Sequence, residues 1–244
     1  VVENDPGLTE LMVRSVLKFT NPSPRFIFCD NTNGKNINKI NKCFPDNLEP
    51  TIIKNEPNII GGSNRHSSGL NAIFSLAKTK YVAVVENDVV VLNHDWYKIK
   101  NGCYSKASLK NGREQTFHMC FFVAETKRLW KNRRPIDFSA GGRKGKKPMV
   151  SGQNYEWDND VGWRLCKYIK SNYVDGVDFV DCKSGQGQYF DGDFQSDEFH
   201  YKGKCIAAHF GRGSNIDGKA VRSGFKHPNE QLKEWKKIAD GIIR

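Results

Sequence analysis

The chain has 244 residues, a length that suits one large domain or two small ones. Hydrophobic residues make up 38% of it, enough for a core with generous loops, and no apolar run nears the roughly 20 residues of a membrane-spanning helix. A formal net charge of +11 attracts anions, but the lysines are spread along the chain without the aromatic interleaving of single-strand binders, which argues against a nucleic-acid partner. The seven cysteines are odd in number and include no C-x-x-C pair, so free thiols in a reducing, cytoplasmic setting are expected over a disulfide or zinc framework. No signal-peptide pattern opens the chain, which starts at Val1. The small size and the richness in Lys and Asn suit a viral or microbial enzyme.

In chain order, Val1-Val2 reads as the tail of a strand, and Asp5-Pro6 as the N-cap and first position of a helix. Leu8, Leu11, Met12, Val16 and Phe19 recur at helical spacing, and Asn21-Pro-Ser-Pro24 ends the helix. Arg25-Phe-Ile-Phe-Cys29 is a short buried strand that stops at the polar cluster Asp30-Asn31-Thr32-Asn33-Gly34. Residues 35–50 are polar and irregular with room for a short helix, and Thr51-Ile-Ile-Lys54 is a third strand. A glycine-rich loop, Asn58-Ile-Ile-Gly61-Gly62-Ser63-Asn64, feeds a helix in which Leu70, Ile73, Phe74 and Ala77 share a face.

Residues 81–92 follow, an apolar run interrupted by Glu86-Asn87-Asp88. Such a run predicts a parallel strand buried on both faces. The order β-α-β-(α)-β-α-β implies a mostly parallel sheet flanked by helices, with right-handed crossovers.

The second half is less regular. A short helix is expected at His94-Asp95-Trp96-Tyr97, a strand over 117–123 and a helical stretch near 124–131. A Gly/Lys-rich loop spans 139–153, a helix 158–170, a strand 173–182 and a long polar loop 183–198. Lys204 to Phe210 is a last strand, and a helix over about 229–242 closes the chain. With no internal repeat and no clean linker, a single α/β domain is expected.

Three polar clusters lie at carboxyl ends of early strands: Glu3-Asn4-Asp5, Asp30-Asn31-Thr32 and Glu86-Asn87-Asp88. In a parallel sheet these ends line one edge, where ligands of open α/β sheets bind. Carboxylates and amides there suit a base and a ribose, and oxygen ligands near a diphosphate suit Mg²⁺ or Mn²⁺.

The order of motifs resembles the GT-A glycosyltransferases, especially the inverting family-2 type. Asp30-Asn-Thr is similar to the Asp-bearing end of that family's second strand. Asn58-Ile-Ile-Gly-Gly, with the helix Ser68-Gly-Leu-Asn-Ala-Ile-Phe-Ser-Leu-Ala-Lys-Thr-Lys-Tyr81, resembles its "N-x-G-G … N-x-G-x-x-x-A-x-G-x-Y" segment. Glu86-Asn87-Asp88 then stands at the D-x-D position. Trp157-Asp158-Asn159-Asp160-Val161-Gly162-Trp163-Arg164-Leu165 resembles "E-D-x-D-L-x-x-R", and His209 to Ser214 the late "H-x-x-x-x-S" strand end. The resemblance covers roughly residues 1–215. It implies a nucleotide-sugar-binding half (about 1–95), an acceptor and catalytic half (about 96–215) and a helical tail (about 216–244).

The resemblance further implies roles. Asn4 and Asp30 would meet the base and ribose of the donor, with Asn64, Arg65, Asn87 and the phosphate candidate Arg212. Asp88 and His209 would ligate Mn²⁺ or Mg²⁺, and Asp158 would be the general base. Glu86 replaces the first Asp and reaches one methylene further, which leaves its role open between ribose and metal. The expected reaction moves a sugar from a nucleoside-diphosphate donor, UDP-sugar favoured, to a hydroxyl of a glycan or glycoprotein acceptor. Inversion needs a carboxylate base and, with a cation on the leaving diphosphate, no acid. Plainer readings stand beside these. Asp158 also fits an N-cap, Asp30 turn chemistry, and His209 a hydrogen-bonded structural histidine.

Three other classes compete. A sugar-phosphate nucleotidyltransferase would want a basic glycine-rich loop where Glu3-Asn4-Asp5-Pro6 stands. A basic nucleic-acid-binding protein or nuclease would want a focused basic face. A catalytically silent sugar binder would not need Asp88, Asp158 and His209 together.

Overall fold

The structure, a computed structural model, describes residues 6–56, 62–99, 119–131, 134–139, 161–162, 164–165, 168, 180–184, 187–190, 196–210 and 228–244. Helix α1 (Pro6–Phe19) opens with proline at its first position, where the missing N–H is no loss. Its expected apolar face is buried at Leu8, Leu11, Met12, Val16 and Phe19. Strand β1 (Ile27–Asp30) and strand β2 (Thr51–Lys54) pair in parallel, with Asp30 opposite Lys54, and α2 (Ile37–Asn41) lies in their connection. Helix α3 (Gly62–Phe74) packs on β1 and buries Leu70 and Phe74.

The run 81–92 is two strands. β3 (Tyr81–Val85) is partly exposed, with Tyr81 at 47%, whereas β4 (Val89–Val91) is fully buried. β3 pairs antiparallel with β5 (Phe121–Glu125). After a 3-10 turn at Thr126–Leu129, β6 (Trp130–Lys131) and β7 (Arg134–Pro135) form a small hairpin. The helical stretch expected near 124–131 is therefore one short 3-10 segment between strands. β8 (Asp181–Ser184), β9 (Ser196–Tyr201) and β10 (Lys204–Phe210) join β4 in an antiparallel sheet of order β4-β10-β9-β8. β8 and β9 replace part of the loop expected over 183–198. Helix α4 (Pro228–Ile243) closes the chain.

Among the described residues the parallel ladder is β1–β2, and the other pairings are antiparallel. The single strand buried on both faces divides because Glu86-Asn87-Asp88 turns the chain. β3 then borders β5 while β4 borders β10.

The main core joins Val13 and Val16 of α1, Leu70 and Phe74 of α3, Phe121 and Phe122 of β5, Phe199 of β9 and Ile206 of β10. A second cluster lies under α4, where Trp235 stacks on Phe190 at 5.1 Å and packs with Leu8, Leu11 and Phe210. Burial of such aromatics supplies most of the drive that seats α4. The Arg14–Asp240 ion pair at 2.8 Å adds an α1–α4 contact at the rim.

Candidate metal centre

The turn between β3 and β4 is pinned from both sides. Glu86 N donates to Cys120 O at 2.8 Å, beside the start of β5. Val89 N donates to Glu86 O at 3.1 Å, closing the turn, and Phe210 N donates to Asp88 O at 2.9 Å, tying it to the end of β10. Flanking valines bury the backbone, so the three polar side chains are held where a solvated loop would release them. Asn87 and Asp88 are 8% and 4% exposed. A buried carboxylate is costly unless something pairs with it.

The partner is His209. Its Nε2 lies 3.5 Å from Asp88 Oδ2 and 4.0 Å from Glu86 Oε2. One ligand atom from each of Glu86, Asp88 and His209 falls within 4.8 Å of the others. Ligands held about 2.1 Å from one cation stand about 3 to 4 Å apart, so a small inward movement closes the set. Asp88 Oδ1 is buried and has no hydrogen-bond partner among the described residues. An orphaned carboxylate oxygen beside a second acid and an imidazole is the donor pattern a divalent cation satisfies.

Two further side chains flank this set. His66 of α3 brings Nε2 to 2.8 Å from Glu86 Oε1, close but not aligned as a hydrogen bond. Asp197 of β9 stands 3.5 Å from His209 Nδ1. Burial works against the charge of Glu86, but His66 above all, and then His209, hold its carboxyl below the ordinary range. Burial likewise opposes charge on His209. Cys120, Asp88 and Asp197 override it and raise the imidazole well above the usual histidine value. The Cys120 thiol is pushed up by burial.

A bulge places His209. Cys205 pairs with His200, but Ala207 pairs with Phe199, so β10 carries one extra residue there. The later pairs put His209 opposite Asp197; without the bulge Ala208 would hold that place.

The other expected site residues divide. Asp30 is fully buried, and its carboxylate is engaged within the turn. Oδ1 accepts from Thr32 N at 2.9 Å and Thr32 Oγ1 at 2.6 Å, and Oδ2 from Asn36 N at 3.0 Å. This fixes the 31–36 turn, which passes through positive φ at Asn33 and Gly34. Asn31 binds the turn to α3: Nδ2 donates to Arg65 O at 2.9 Å, and Arg65 Nη2 donates to Asn31 O at 3.4 Å. Asn55 Nδ2 donates to Asn31 Oδ1 at 2.7 Å and to Ser68 Oγ at 3.1 Å. Arg65 thus joins the end of β1 to the start of α3, and Asn55 ties in the end of β2. Asn4, Asp158 and Arg212 lie outside the described residues, as does the side chain of Asn64.

A second group, Glu198, His200 and Cys205, also has metal-ligand types close together. Its donors are already in use. Glu198 Oε1 accepts from the backbone N–H groups of Tyr189 and Phe190 at 2.6 and 2.9 Å, and Oε2 from Gln188 at 2.6 Å, with His200 Nε2 at 2.9 Å. Burial and Glu198 push the Cys205 thiol far up, so it is no thiolate. The group is a brace for residues 187–190.

Sequence reasoning missed His66, Asp197 and Cys120. None carries a spacing signal, and Asp197 sits in Ser196-Asp-Glu-Phe-His-Tyr201, whose polar residues read as loop. No helix among the described residues is long and apolar enough to cross a membrane. No protein-family model, curated protein or solved structure matches the chain.

Proposed function

We propose that the chain is a metal-dependent glycosyltransferase of GT-A type, using a nucleoside-diphosphate sugar and a glycan or glycoconjugate hydroxyl. The observation that carries this reading is the meeting of Glu86, Asp88 and His209 within 4.8 Å, from a D-x-D-like turn and a late strand over 110 residues apart in sequence. The motif order along the chain supports it independently. Two carboxylates and an imidazole favour Mn²⁺ over Mg²⁺, because an imidazole nitrogen suits a transition metal better.

When bound, the cation would neutralise charge developing on the departing nucleoside diphosphate. Asp88 and His209 would hold it. Glu86 would contribute Oε2 while Oε1 faces His66, an arrangement that supports a metal role over a ribose role. Asp30 acts through the turn it fixes, and Arg65 and Asn87 would meet the donor. Asp158 takes the proton of the acceptor hydroxyl as that oxygen attacks the anomeric carbon and the bond to the diphosphate breaks.

Donor hydrolysis across a panel of nucleotide sugars, with and without Mn²⁺, tests the reading. Asp88→Asn is expected to abolish hydrolysis and Mn²⁺ binding together. Asp158→Asn should lower transfer by about 10²- to 10⁴-fold and spare donor binding. Calorimetry showing no binding of any nucleoside diphosphate in the presence of Mn²⁺ would overturn the proposal.

A further inference from the structure

We propose that Asp197 is the positioning residue of the metal centre, orienting His209 so that Nε2, and not Nδ1, meets the cation. The inference rests on the metal reading above and assigns an outer partner to it.

An imidazole offers two nitrogens, and a metal site works only if one is presented and the other is held. His209 is placed for that division. On one side Nε2 faces Asp88 Oδ2 at 3.5 Å and Glu86 Oε2 at 4.0 Å. On the other, Nδ1 faces Asp197 Oδ2 at 3.5 Å. Nδ1 is buried and has no aligned hydrogen-bond acceptor among the described residues, and Asp197 is a carboxylate within reach of its proton. The gap is about half an ångström beyond a good hydrogen bond. A small turn of either side chain closes it.

The placement comes from the backbone. His209 and Asp197 are direct cross-strand partners, and the bulge between Cys205 and Ala207 makes them so. Directly opposite residues project from the same face of a sheet. On the other edge of β10, His209 stands opposite Val89, which follows Asp88 in the chain. The ring therefore lies between the turn that carries the metal acids and a strand that carries one more acid. Ser196 Oγ donates to His209 O at 3.1 Å and accepts from Trp235 Nε1 at 3.1 Å, so the backbone on both sides of the pair is anchored to α4. Asp197 is the more exposed of the two side chains, at 25% against 15%. It is the outer member, and the metal acids are the inner ones.

With Nδ1–H given to Asp197, the proton a cation displaces is the one on Nε2, and the carboxylate makes that nitrogen a stronger donor. Loss of such an outer partner typically costs about 10- to 100-fold in metal affinity.

The test is Mn²⁺ titration of the full chain, with pulsed electron paramagnetic resonance to detect an imidazole nitrogen on the bound ion. Wild type should show the nitrogen signal, and His209→Ala should lose it. Asp197→Ala is expected to bind Mn²⁺ about 10- to 100-fold more weakly with a reduced or lost nitrogen signal. The isosteric Asp197→Asn, whose amide oxygen still accepts from Nδ1–H, should fall between. It also keeps the test valid if the alanine variant folds poorly. Wild-type affinity with an undiminished nitrogen signal in both variants would overturn the inference and leave the metal centre standing. Failure of the wild-type protein itself to bind Mn²⁺ would sink the metal reading, and this inference with it.

Discussion

One methylene separates Glu86 from the aspartate of a D-x-D triplet, and His66 gives that extra reach a partner. Oε1 lies 2.8 Å from His66 Nε2 while Oε2 points toward His209. Shortening Glu86 to aspartate should therefore harm this protein. Glu86→Asp withdraws the carboxylate from His66 and is expected to weaken Mn²⁺ binding about tenfold, as loss of an outer partner does. His66→Ala should cost a similar factor. Calorimetric titration of both single variants and the double variant would show the two losses to be non-additive, because they remove one contact. Additive losses would separate His66 from the metal. At this scale the sequence was legible for Glu86, Asp88 and His209, whose polar types stand at the ends of apolar runs. His66 and Asp197 were not, since their meaning lies in contacts made across 20 and 12 residues of chain.

β9 shows why some elements were hidden. Glu198 is fully buried, yet in sequence a Glu between Asp and Phe reads as surface. Its carboxylate gathers the N–H groups of Gln188, Tyr189 and Phe190, and Gly187 lets the backbone come so near that a Cβ there would run into the carboxyl group. These bonds, against the effect of burial, hold the Glu198 pKa below the ordinary glutamate value. The sign follows. Its stabilisation is fully present above the unfolded value of about 4.3 and is lost as pH falls through the lower folded value. Urea midpoints measured from pH 7 downward should drop more steeply for wild type than for Glu198→Gln in that acid window. At pH 7 the variant should be less stable by about 2 to 3 kcal/mol, since one carboxylate accepts several charge-assisted bonds. Helices α1, α3 and α4 and strands β1, β2 and β10 were legible because periodicity and punctuation are local signals. Pairing was not, because the direction of β3 and β4 depends on partners over 30 residues away.

At the scale of the molecule, the candidate centre stands where separate parts meet. Glu86 follows β3, which ladders with β5, while Asp88 precedes β4 and His209 lies on β10 of the other sheet. Among the described residues these two sheets share no ladder, and His66 reaches the same point from α3. Two acids at such a junction, Asp88 buried and Glu86 half-buried, repel each other, and His66 and His209 offset them without a cation. A divalent ion there would draw the β3–β4 turn, β10 and α3 to one point, a tie the unfolded chain cannot make. Binding then stabilises the fold by mass action, about 2.7 kcal/mol at a hundred times the dissociation constant. For a chain of this size that is a rise in Tm of about 5–10 °C. Thermal melts with increasing Mn²⁺ should show this rise in wild type and none in Asp88→Asn. Hydrogen exchange should slow at the amides of Glu86, Val89 and Phe210, the three that pin the turn. A Tm rise that persists in Asp88→Asn would place the stabilising ion elsewhere in the molecule, and the junction would then be a structural contact between sheets.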